Sequence, residues 1–127
     1  MGQVVAIMLG GALGALARFA VTELMMQWLG KGFPYGTLVV NATGSFLIGA
    51  LSVYFMTKVH WDPMLKMAIA IGFLGAFTTF STFSLDTISL FETGDTAKAL
   101  LNIALNVCTS LAAVWAGLLA ARFLTTH

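Results

Sequence analysis

Charge is the scarcest property of this chain. Six Lys and Arg stand against five Asp and Glu among 127 residues, 9% in all. So thin and balanced a supply excludes a nucleic-acid partner, which requires a basic surface. Cysteine occurs once, so Cys108 excludes an internal disulfide and is expected to be a small packing residue of the last apolar run. The only prolines, Pro34 and Pro63, punctuate short polar connections. His60 has no second His or carboxylate cluster at ligand spacing, so no transition-metal site is expected there. Met1-Gly2-Gln3 lacks the positive n-region of a signal peptide and no cleavage site follows, so the first apolar run is expected to be retained.

What the chain has instead is hydrophobic length. With 59% hydrophobic residues and a mean hydropathy of +0.94, it is too apolar for a soluble domain of this size. A bilayer core of about 30 Å takes roughly 20 residues of helix, which leaves room for four spans and little else. The spans are expected at Val4 to Trp28, Thr37 to Thr57, Met64 to Leu90, and from a cap at Asp95 or Thr96 to Leu124. Asp62 followed by Pro63 reads as an N-cap and first helical residue. The expected fold is all-α, one four-helix transmembrane domain over residues 1–127 embedded in a lipid bilayer.

The third run is a poor helix where it matters most. From Gly72 to Ser84 it holds two Gly and five Ser or Thr, types that loosen a helix or compete for its hydrogen bonds. A break at mid-membrane is therefore expected, and an opened backbone in hydrocarbon persists only where protein, water or an ion satisfies it. The carbonyls of Gly75, Ala76, Phe77 and Thr78 would form a hard, all-oxygen site suited to sodium, completed by an identical break across a twofold axis. Phe80 and Phe83, three apart, share a helix face. Their electropositive ring edges can solvate an anion weakly, with Thr79, Ser81, Thr82 and Asn41 as further donors. Taken alone, phenylalanines at this spacing more often pack a core, and an intramembrane asparagine more often joins helices.

Two other features suggest a polar path. Gly10, Gly14 and Arg18 recur every four residues on span one, so close helix packing is expected there. Arg18 either pairs with Glu23 for structural reasons or draws an anion into a vestibule. On span four, Asn102, Asn106 and Ser110 form a stripe that must meet protein or water. Loop charges are almost unbiased: Lys58, Lys66 and Arg122 on one side, Lys31 and Lys98 on the other. Insertion in both orientations, with pairing of opposite copies, is the expectation that follows.

Thr78-Thr79-Phe80-Ser81-Thr82-Phe83-Ser84 after Gly75, with Gly36-Thr37-Leu38-Val39-Val40-Asn41 opening span two, closely resembles the Fluc (CrcB-type) bacterial fluoride channels. The resemblance covers essentially the whole chain. It implies an ion channel and not an enzyme: an antiparallel, dual-topology homodimer in the bacterial inner membrane, with two pores that pass fluoride passively out of the cytoplasm. By this resemblance Phe80, Phe83 and Asn41 line the pore, and the carbonyls of Gly75 and Thr78 hold a structural, non-permeating sodium ion. Thr79, Ser81, Thr82 and Ser110 match the polar track, and Arg18 the vestibule arginine. Asp86 falls where some relatives carry a glutamate. The main rival is a small multidrug-resistance exporter, which relies on a proton-binding glutamate in span one; here the only acid of that span is Glu23, near its end.

Overall fold

A computed structural model of the chain describes residues 1–57 and 60–126, and among them the structure is entirely helical. Four helical stretches are long and apolar enough to cross a membrane: Gly2–Leu29, Tyr35–Met56, Pro63–Glu92 and Thr96–Thr125. The first, second and fourth are the unbroken helices α1 (Gly2–Leu29), α2 (Tyr35–Met56) and α6 (Thr96–Thr125). The third is assembled from α3 (Pro63–Lys66), a π-helical stretch over Met67–Leu74, α4 (Gly75–Phe77) and α5 (Phe80–Glu92).

Local chemistry sets the ends. Gly30 stops α1 at φ 80°, a left-handed conformation that only glycine adopts without cost. The Asp62 carboxylate accepts the Met64 amide at 2.9 Å while Pro63 opens α3, as the capping pattern predicts. Asp95 occupies the cap position of α6 without a side-chain cap bond. The π-helical stretch was not expected. Its loosening begins at Met67, five residues before the Gly- and Ser/Thr-rich segment, in a run that looks purely apolar by composition.

Two close contacts hold the spans together. Helix α1 lies directly on the π-helical stretch, because a side chain at Gly10 or Gly14 would collide with the backbone of Ala68 or Phe73. Helices α2 and α6 run parallel, with Gly49 against the Val114 carbonyl and Gly117 against that of Phe46. Without a hydrophobic drive between helices in lipid, such backbone contact is a main source of association. The outer faces carry large apolar side chains, among them Leu13, Leu16, Phe19, Leu111, Trp115 and Phe123. The interior is small and partly polar: Val40, Leu74, Phe77, Phe83 and Ala99 are buried beside Thr37, Thr87, Asn102 and Asn106.

Cys108 departs from expectation. It is exposed, not packed, because it sits two residues and hence about 200° round α6 from buried Asn106. Of the charges weighed for orientation, Lys58 lies outside the described residues. Lys66 Nζ sits 5.5 Å from the centre of the Phe55 ring, and Lys98 Nζ donates to the Gly32 carbonyl at 3.1 Å, joining the first turn of α6 to the first connection.

Candidate functional site

The third helical stretch is interrupted at two residues. Thr78 (φ −83°, ψ 158°) and Thr79 (φ −152°, ψ 117°) are extended, and α5 starts afresh at Phe80. In an uninterrupted helix the amides of Thr79 and Thr82 would bond back to the carbonyls of Gly75 and Thr78. Both amides are diverted. Thr79 N–H donates to Asn41 Oδ1 at 2.8 Å, and Thr82 N–H donates to the Thr79 hydroxyl at 3.1 Å, a regular N-cap. The Ala76 carbonyl, which lies between, accepts Arg18 Nε–H at 3.0 Å. Arg18 therefore braces the interruption, and of the two alternatives open to it the pairing with Glu23 is not formed among the described residues.

Asn41 is the hub of the other side. Its amide donates to the Thr79 carbonyl at 3.1 Å and to Asn106 Oδ1 at 3.0 Å, while its oxygen takes the Thr79 amide. Asn106 donates in turn to Asn102 Oδ1 at 2.9 Å, and Asn102 to the Thr87 hydroxyl at 3.0 Å, which itself donates to the Phe83 carbonyl at 2.8 Å. A chain of amides thus runs from the start of α5 through α6 and back into α5. Both Asn41 amide hydrogens are committed, so an anion reaching that group must displace Thr79 or Asn106. The α6 stripe divides accordingly: Asn102 and Asn106 are buried helix-joining groups, and Ser110 lines a cleft.

That cleft, about 340 Å³, is formed by Asn41, Ser45, Thr79, Phe83, Ser110 and Phe80, with Thr78, Asn106, Val107 and Leu111 closing it. The two rings stand 5.3 Å apart between centres at 58°. They differ sharply in environment: Phe83 is 8% exposed and Phe80 77%. Thr78 also borders a second cavity of about 230 Å³ with Gly75, Gly44 and Leu74. Thr82 faces neither. It lines a third cavity, about 250 Å³, with Thr37, Lys31 and Asp86, where the Thr37 hydroxyl donates to Asp86 Oδ2 at 2.9 Å. Ser81 is exposed, its hydroxyl 3.4 Å from that of Thr79. The structure thus gathers Asn41, Thr78, Thr79, Phe80, Phe83 and Ser110 in one cleft, sets Gly75 beside it, and places Thr82, Ser81 and Arg18 elsewhere. Ser45 was missed as a site residue. Its spacing of four from Asn41 was the available signal.

Fold and site together define a four-span helical membrane protein whose interrupted third span is stitched by polar side chains to its neighbours. Residues 5–118 match the family described as CrcB-like protein, Camphor Resistance (CrcB), and the chain belongs to that family. A protein of Methylococcus capsulatus (strain ATCC 33009 / NCIMB 11132 / Bath) named fluoride-specific ion channel FluC is 54% identical over 117 residues, which are 92% of this chain but 51% of that protein. The chain thus spans about half the length of that relative. The proteins of the same name from Hydrogenovibrio crunogenus (strain DSM 25203 / XCL-2) and Vibrio campbellii (strain ATCC BAA-1116) are each 49% identical. Their matches cover 91% and 87% of this chain, and 88% and 87% of those proteins.

Proposed function

We propose that this chain is a fluoride-selective channel that lets fluoride leave the cytoplasm passively through two pores of an antiparallel homodimer in the bacterial inner membrane. The observation that carries this reading is the cleft at the interruption: two phenyl rings, hydroxyls and amides, and no titratable side chain among its lining residues. Fluoride holds its water strongly, so a pore must replace several hydration partners, yet bind weakly enough to release the ion. Ring edges mixed with hydroxyl donors meet both demands. A proton-coupled exporter needs a group that titrates in its binding site, and Glu23, the acid of α1, does not line the cleft. The names of the relatives favour the same reading.

Pairing of two copies is supported by exposure. The polar groups of the cleft, among them the hydroxyls of Ser45 and Ser110, would face hydrocarbon in a lone chain, which is costly. The interruption falls at residues 78 and 79 of a 30-residue span, about its middle, where an inverted partner would present the same residues. Gly75 and Thr78 are suited to sodium because their carbonyls are hard neutral oxygens whose usual helical donors bond elsewhere. When bound, sodium supplies a fixed positive charge between the copies. The chain's own groups hold the backbone open for it: Asn41 at Thr79, and Arg18 at Ala76.

Purified protein in liposomes tests this. Fluoride efflux should be fast, electrogenic, indifferent to a pH gradient and nearly closed to chloride. Electrically silent flux or drug-proton exchange would reject the channel. Replacing sodium with a large organic cation should reduce efflux although sodium itself does not cross, and equal activity would remove the sodium site.

A further inference from the structure

We infer that Ser45 is an anion ligand of the aromatic cleft, acting at the same level as Ser110; this rests on the channel reading above. The register of α2 against α6 puts the two serines together. Asn41 bonds Asn106, 65 residues on, and Gly49 packs on Val114, the same offset, so Ser45 stands at the level of Ser110, one turn beyond the asparagine pair. Both serines line the 340 Å³ cleft with Phe80 and Phe83.

The two levels differ in what their donors do. The Asn41 amide is fully committed, and Asn106 gives its hydrogens to the oxygen atoms of Asn102. Hydroxyls on helices usually bond back to the carbonyl three or four residues earlier. In the spans Thr22, Ser52, Ser84 and Thr87 do so, and within the cleft Thr78 bonds to the Leu74 carbonyl while Thr79 caps α5. Ser45 and Ser110 are the cleft hydroxyls with no hydrogen-bond partner among the described residues. An unsatisfied donor on a span is costly unless water or an ion meets it. A pair of hydroxyls at one level with no partner among the described residues, in a cleft lined by two phenyl rings, fits a small anion that accepts several short hydrogen bonds.

The test compares Ser45→Ala, Ser45→Thr and Ser110→Ala with the unaltered protein in fluoride-loaded liposomes, alongside thermal unfolding in detergent. A hydroxyl given to an anion is charge-assisted, so Ser45→Ala should lower fluoride flux about tenfold or more. Ser45→Thr, which keeps the hydroxyl, should recover most of it. Ser45→Ala should unfold at the unaltered midpoint, since the hydroxyl holds no partner among the described residues, whereas a structural serine would lower it. The Ser45→Ala/Ser110→Ala pair should lose less than the product of the single losses, because both groups serve one ion. Ser45→Ala flux within twofold of the unaltered protein, while Ser110→Ala is impaired, would overturn the Ser45 assignment alone. Unaltered protein that passes no fluoride would end the channel reading, and this inference with it.

Discussion

Replacing Asn41 with Leu separates bracing from ion contact. The substitution removes three hydrogen bonds at once, two donated by the amide and one accepted by its oxygen. At about 1 kcal/mol each the loss is about 3 kcal/mol; if interhelical bonds in membranes average nearer 0.6 kcal/mol, the lower bound is about 2 kcal/mol. The Thr79 amide, which has left its helical acceptor at Gly75, is then stranded, at a further cost of about 1–3 kcal/mol. We expect Asn41→Leu to lower unfolding stability by about 3–6 kcal/mol in reversible denaturant titration of micellar protein. Hydrogen exchange of Thr79 should accelerate by about 100-fold or more, since each 1.4 kcal/mol is a factor of ten. Asn41→Asp retains an acceptor for Thr79 and should fall between. If Asn41→Leu abolished fluoride flux while leaving both unfolding and Thr79 exchange unchanged, the side chain would act on the ion alone and the bracing argument would be refuted.

Four other outcomes follow from contacts described above. Thr79→Val deletes the hydroxyl that caps α5 and should destabilise by about 1 kcal/mol in the same titration, with Thr79→Ser close to the unaltered protein. Arg18→Gln places a donor nitrogen as many bonds from Cα as Nε and should preserve the bond to Ala76, whereas Arg18→Met should lose about 1 kcal/mol; equal losses in the two variants would show that the charge, not the donor, matters. Gly14→Val drives a side chain into the Phe73 carbonyl and should cost about 1–3 kcal/mol or abolish folding. Gly11→Ala, whose nearest obstacle is 3.8 Å away, should leave the thermal midpoint nearly unchanged.

Much of the site was legible along the chain and some of it was not. The Gly10-Gly14 face, the Asp62-Pro63 cap and the polar spacing of α6 are local patterns, so counting residues finds them. Contacts between distant residues leave no such mark. Arg18 and Ala76 are 58 residues apart, and nothing in their spacing says that a guanidinium would serve a backbone carbonyl where Glu23 was nearer at hand. Nor does composition show that Asn41 spends both amide hydrogens inside the chain, or that the Ser45 hydroxyl finds no partner among the described residues. The π-helical stretch was hidden for another reason: Met67–Leu74 is a run of ordinary helix formers with one Gly, and its geometry is set by packing against α1.

By itself, the order of residues determined the membrane class, the number of spans and the family, because hydrophobic length and a short motif are properties of consecutive residues. It also pointed to a break in the third span, within the stretch from Gly72 to Ser84. Which donors go to which acceptors was decided only in three dimensions. The register of α2 on α6, fixed by glycines at Gly49 and Gly117, chose Asn106 for Asn41 and left Ser45 and Ser110 lining one cleft with no hydrogen-bond partner among the described residues. A hydrogen bond depends on a few tenths of an ångström and on direction, and neither exists until the helices have packed.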